Sequence, residues 1–191
     1  MPYVFLKYVF RLQLFLLMTL LANDSSGQNN VNKPQRKILT TSDFKGTPDE
    51  NVDYLANTKP IISLEYQGIS NCVETGKVKL KVDTKIRVSE RSWMKLSEIR
   101  SQQVLAALLS HEQGHYDLQE VLAIDLKKTL SNSCFDRNTY KQQADSIFKS
   151  MYARYDTLQR KYDTETDNMR NKTMQAAWKQ KIAAMLREIQ Q

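Results

Sequence analysis

Histidine is scarce in this chain, with two in 191 residues, so a site built from three imidazoles is excluded. Cysteine is equally scarce. Cys72 and Cys134 are not at metal-ligand spacing from each other, and no cysteine near residue 27 could carry a lipid anchor. Neither a nucleic-acid-binding module nor a basic run interleaved with aromatics is present, so the net charge of +7 is read as a solvated surface, not as a nucleic-acid footprint. That charge is also compatible with attraction to an anionic cell-envelope surface. Repeat architecture is missing too: Tyr155-Asp156-Thr157 returns once as Tyr162-Asp163-Thr164, an echo of helix periodicity.

The longest apolar stretch, Leu12 to Ala22, is too short for a standard membrane span. It follows Lys7 and Arg11 and precedes Ser25-Ser26-Gly27, the order of an export leader. Residues 1–27 are therefore read as a signal peptide and residues 28–191 as one domain, secreted or periplasmic, with enough chain for a core. The rival is an uncleaved signal anchor, since Val4–Leu6 and Tyr8–Phe10 extend the apolar character. In an oxidising compartment Cys72 and Cys134 are expected to form a disulfide that closes a loop of about 60 residues and stabilises by roughly 4 kcal/mol. Two buried thiols are the alternative.

Both histidines fall in His111-Glu112-Gln113-Gly114-His115. On a helix, residues i and i+4 share a face, so two imidazoles can grip one metal ion while the glutamate beside them reaches a water on it. The run Val104, Leu105, Leu108, Leu109, Leu118, Leu122 and Leu126 has helical spacing and carries both histidines inward. Gly114, costly inside a helix by about 1 kcal/mol against alanine, suggests a close neighbour.

Ahead of this helix, Ile62, Leu64 and Tyr66 alternate with polar residues as a short strand, and Val78 to Val88 alternate with Lys77 to Arg87 as a long one. The lysine row is its solvent face. Thr40 to Asn57 reads as an ordered loop. Ser97 or Ser101 can cap the histidine-bearing helix, which ends near the Ser-Asn-Ser cluster at 131–133. A second helix is read from Ala144, Phe148, Met151, Tyr155, Leu158 and Tyr162, and a third from Met174, Trp178, Ile182, Met185 and Ile189. The expected fold is α+β, a small antiparallel sheet followed by a helical hairpin and a C-terminal helix. A long strand before a metal-bearing helix could offer its edge to an extended substrate, by analogy with zinc peptidases.

Several separated segments resemble one family, the bacterial domain of unknown function 922, described as predicted secreted zinc-dependent proteases. Leu39-Thr40-Thr41-Ser42-Asp43-Phe44-Lys45-Gly46 resembles its L-T-W-x-D-F-K-G, Ser92-Trp93-Met94-Lys95 its S-W-V-K, and Leu109 to Asp117 its L-x-H-E-Q-G-H-F-D. Tyr162 to Asn168 is similar to its Y-D-x-x-T-x-H, with Asn168 where the family has histidine and Thr41 where it has an aromatic. The resemblance implies a zincin-like domain holding Zn2+ and acting on a peptide or protein substrate.

A catalytic zinc needs three protein ligands and one open position. His111 and His115 supply two, and with Asn168 in place of histidine the third falls to a carboxylate, an amide or water. Glu165 is the expected ligand, with Asp163 and Asp167 as the other near candidates. A hairpin turning near residue 134 would set His111–His115 opposite residues 154–158, so the second helix would have to end or bend near Tyr162. Glu112 is then the general base, and Tyr162 or Tyr116 could donate to the oxyanion. Three readings stand: an exported zinc metallopeptidase, a zinc-binding relative without catalysis, and a metal-free helical interaction protein of the cell envelope.

Overall fold

The computed structural model describes residues 36–69, 72–74 and 76–190. The leader read at 1–27 lies outside them, and the folded unit begins at Lys37. Among the described residues no helix is long and apolar enough to cross a membrane.

Strand alternation produces the sheet. β2 (Pro60–Ile69) and β3 (Lys77–Val88) pair antiparallel from Pro60↔Val88 to Ile69↔Lys79. Their period of two sends Val78, Leu80 and Val82 into the core while Lys81, Lys85 and Arg87 stay exposed. A short β5 (Phe135–Asp136) adds to the start of β3. Apart from this sheet, β1 (Ala56–Asn57), at the end of the Thr40–Asn57 region read from sequence as an ordered loop, pairs with β4 (Trp93–Met94). Two-residue strands carry no periodicity, so no pattern could announce them.

Three helices follow: α1 (Gln102–Asn132), α2 (Tyr140–Thr166) and α3 (Lys172–Ile189). Ser101 caps α1 by accepting from the Val104 N–H. α1 is the spine of the unit. Its Leu126 and Leu130 pack on Val78, Leu80 and Val82, while Leu118 packs with Tyr162, Trp178 and Ile182 of α2 and α3. Leu108, near its start, packs with Ala56 and Met94. Leu118, Leu122, Leu126 and Leu130 are all fully buried, each worth about 1.5–3 kcal/mol of transfer free energy.

The hairpin register differs from the sequence expectation. The α1–α2 link runs from 133 to 139 and includes β5, which draws the turn toward residue 136 and lets α2 continue unbroken through Thr166. The histidines consequently face Gln159 and Asp163 instead of residues 154–158.

Cys72 and Cys134 are joined, 62 residues apart with Cα atoms 6.0 Å apart, and tie the β2–β3 connection to the end of α1. Protein taken from its native compartment is expected to show no titratable thiol under denaturing, non-reducing conditions. Replacing both cysteines with serine should lower Tm by roughly 10 °C, the equivalent of about 4 kcal/mol for a domain of this size. Two free thiols, or an unchanged Tm by calorimetry, would contradict the staple.

Candidate metal centre

One turn of α1 separates His111 and His115, and both rings turn inward as the apolar stripe requires. His111 is buried, His115 nearly so, and their rings stand 4.9 Å apart and close to perpendicular. Both Nε2 atoms face one oxygen of Asp163 on α2: His111 at 3.3 Å and His115 at 2.8 Å.

The other ring nitrogens are engaged by two glutamines. His111 Nδ1 lies 3.0 Å from Oε1 of Gln175, and His115 Nδ1 lies 2.6 Å from Oε1 of Gln159. Each glutamine spends its amide N–H elsewhere, Gln159 on the His115 carbonyl and Gln175 on the Tyr162 hydroxyl, so its oxygen must face the imidazole. An amide oxygen only accepts, which assigns the ring proton to Nδ1 and leaves Nε2 as a lone pair. Two lone pairs and a carboxylate oxygen therefore converge on one point. His111, His115 and Asp163 form a group that could hold a metal ion. Two imidazoles and one carboxylate are also a donor set that leaves a fourth position open on zinc.

Protons can meet the same demand in the metal-free protein. Burial alone would lower the pKa of His115, but the Asp163 hydrogen bond and the charges of Glu112 and Asp163 outweigh it and raise it to about 8. Burial would likewise raise Asp163; hydrogen bonds from His111 and His115 and their charge hold it below the usual carboxylate range.

Glu112 lies outside the converging group. It is buried, and its Oε2 accepts the backbone N–H of Thr58 at 2.8 Å. It shares with His111, His115 and Asp163 a cleft of about 710 Å³, lined also by residues 53–60, by α2 and by the turn at 168–170. β1 and the first residue of β2, Pro60, line the cleft, and no residue of the long β3, proposed from sequence as the substrate edge, is among its lining residues.

Glu165, the expected third ligand, is turned away from the histidines. Two residues past Asp163 on the same helix, it points roughly 200° around the axis, where its Oε2 accepts the Trp178 indole N–H at 2.7 Å and Oε1 pairs with Lys161 at 3.5 Å. Asp167 turns to Arg170. Asn168 lines the same cleft. The turn that carries it is left-handed at three successive positions, with φ of 48° at Asp167, 46° at Asn168 and 77° at Met169, each disfavoured by roughly 1–2 kcal/mol. Met169 packs against the Ala56, Met94 and Leu108 cluster, which helps to hold the turn in place.

Tyr162 is also spoken for. Its hydroxyl donates to the His111 carbonyl at 3.0 Å and accepts from Gln175 at 2.6 Å, and its ring stacks on His111 at 4.7 Å. A Cβ on Gly114 would stand 2.6 Å from its Cζ, which explains the glycine in mid-helix. Tyr116 is buried, and burial, followed by the charges of Glu120, Asp117 and Asp43, pushes its pKa up to about 12.

Some of this was open to sequence reading. Gln159 and Asp163 repeat the i, i+4 spacing of the two histidines, a signal that would have favoured Asp163 over Glu165. Gln175 and Thr58 had none.

In the metal-free protein, the raised pKa of His115 means that its share of stability, about 2 kcal/mol, is fully present below pH 6.5 and lost as pH rises through about 8. Chemical denaturation of chelator-treated protein between pH 6 and 9 is expected to show that loss, and Asp163→Asn should remove it. A flat profile would show that His115 and Asp163 are not paired.

No curated protein and no solved structure matches the chain. Residues 36–172 match the model of a family described as "Bacterial protein of unknown function (DUF922)". The matched span holds His111, Glu112, His115 and Asp163 and stops at the first residue of α3, before Gln175. With most of its length in that match, this chain belongs to the bacterial DUF922 family.

Proposed function

We propose that this protein is an exported zinc-dependent metallopeptidase that hydrolyses peptide bonds, with Glu112 as general base. The observation that carries the reading is the convergence of His111 Nε2, His115 Nε2 and Asp163 Oδ1 beside a buried glutamate in one open cleft. Export rests on the leader read at residues 1–27, and the oxidised Cys72–Cys134 pair agrees with it.

A zinc ion held by the three side chains would supply Lewis acidity toward a peptide carbonyl and lower the pKa of water to about 7. The chain's own residues do the rest. Gln159 and Gln175 hold the imidazoles in the tautomer that presents Nε2. Glu112, anchored through Oε2, keeps its other oxygen to take a proton from the attacking water and return it to the leaving amine. The cleft, about 710 Å³ and open, has room for a short extended stretch of polypeptide.

A second reading, a zinc-binding relative without catalysis, draws on Asn168, where the family pattern has histidine. Asp163 answers it, since a carboxylate serves as third ligand in zinc peptidases.

Metal analysis and hydrolysis of an unfolded protein test the proposal. The purified protein is expected to bind about one zinc, which His111→Ala with His115→Ala should abolish. Glu112→Gln should keep the zinc and lose hydrolysis by a factor of about 10²–10⁴, the usual worth of a general base. Hydrolysis equal to the parent's would remove Glu112 from the mechanism.

Ligand choice has its own check. Asp163→Ala should weaken zinc by more than the roughly 10–100-fold typical of an outer-shell partner, while Glu165→Ala leaves zinc affinity within about twofold. The reverse order, read by competition with a zinc chelator, would return the third position to Glu165.

A further inference from the structure

Two of the family-like segments, Leu39–Gly46 and Ser92–Lys95, supply none of the converging metal-group atoms. Their hydrogen bonds lead to Glu112 by another route. Ser92 is fully buried, and its Oγ accepts the Lys59 backbone N–H at 2.9 Å. The N–H of the preceding residue, Thr58, is the one that Glu112 accepts. Thr58 and Lys59 link β1 to β2, so with Lys59 N–H held by Ser92 and the flanking residues held in strands, the Thr58 peptide has little freedom to turn from Glu112.

Alone, β1 could not hold that aim. A two-residue strand is far too short to be stable by itself. It is braced along its length by Ser92–Lys95: Trp93 pairs with Asn57 and stacks on Tyr54 at 5.5 Å, and Met94 pairs with Ala56 and joins it in one apolar cluster with Leu108. Lys95 closes the far end, its backbone N–H donating to Leu55 O at 2.8 Å and its buried Nζ to Val52 O at 2.7 Å.

The first segment braces the second. Gly46 N–H donates to Ser92 O at 2.7 Å, and a Cβ at Gly46 would come within 2.8 Å of the Arg91 backbone. At its other end, Leu39 N–H donates to Gln113 Oε1 at 2.8 Å, and Gln113 Nε2 returns to Lys37 O and to Asp117. This clamp therefore grips α1 at Gln113, the residue next to Glu112, and reaches Glu112 again through Thr58.

We infer that Ser92-Trp93-Met94-Lys95, braced by Leu39–Gly46, is a positioning device for Glu112 that acts through the Thr58 backbone N–H. A glutamate has three rotatable bonds, and a shift of about 1 Å in a reacting group can cost 10²-fold in rate. Holding one carboxylate oxygen with a charge-assisted bond leaves the other in one orientation toward the cleft. Ser92 and Thr58 are positioning residues, not catalytic ones. The consequence for rate rests on the peptidase reading; the contact itself does not.

Ser92→Ala removes the acceptor for Lys59 and is compared with Val82→Ala, a core change in the sheet away from the clamp. In zinc-loaded protein, Ser92→Ala is expected to lower kcat about tenfold with KM and zinc affinity within twofold of the parent, and to speed hydrogen exchange at the Thr58 amide at least tenfold by NMR. Val82→Ala should do neither at 25 °C. Thr58 exchange unchanged in Ser92→Ala, or faster exchange with kcat unaltered, would overturn the inference. If Ser92→Ala does not fold, or if the parent hydrolyses nothing, Glu112→Ala decides: Thr58 exchange must rise there, and its failure to do so refutes the contact. A parent without activity but with that rise would sink the peptidase reading and leave the Glu112–Thr58 contact standing, and Thr58 exchange in folded Ser92→Ala then decides for or against the clamp.

Discussion

Two imidazole lone pairs and a carboxylate oxygen do not share a half-buried corner without positive charge between them, and much of this molecule is arranged around that demand. His111 and His115 could each have presented either ring nitrogen. Gln175 and Gln159 remove the choice by accepting at Nδ1, and each glutamine is held by a further bond. A proton can meet the demand, which is why His115 stays basic despite burial. A divalent ion would meet the same demand, since the three converging atoms are ones that could hold a metal.

The packing that supports this corner explains residues with no polar role. Tyr162 fills the space over Gly114, stacks on His111 and ties the His111 carbonyl to Gln175. Trp178 packs edge-on against Tyr162 and donates to Glu165. Side chains from three helices thus interlock behind the histidines. Gln175 and Trp178 come from α3, which lies almost wholly beyond the family match, so the support of the site reaches further along the chain than the match does.

On the cleft side the frame is irregular: a two-residue strand, a left-handed turn and a loop gripped at Gly46 and Leu39. Left-handed backbone at Asp167, Asn168 and Met169 persists only where surrounding structure compensates it. Here Met169 packs into the Ala56–Met94–Leu108 cluster. That cluster also carries β1, which brings Thr58 to Glu112. The turn after α2 and the strand before β2 consequently share one apolar anchor beside the cleft.

What the sequence determined by itself was whatever a short window of chain can encode. The alternation of Val78 to Val88 dictated a strand with one wet face, leucine spacing dictated α1, and four-residue spacing put His111 and His115 on its buried side with Glu112 between them. Two cysteines in a chain read as exported left one intramolecular pairing. The third member of the metal group was decided by tertiary structure. Asp163 and Glu165 are carboxylates two residues apart and so lie on opposite faces of α2, and which face meets the histidines is set by how α2 packs on α1. Gln175 lies 64 residues from His111 and Thr58 lies 54 residues from Glu112. Such contacts follow from the mutual register of helices and strands, a property of packing that no local periodicity records.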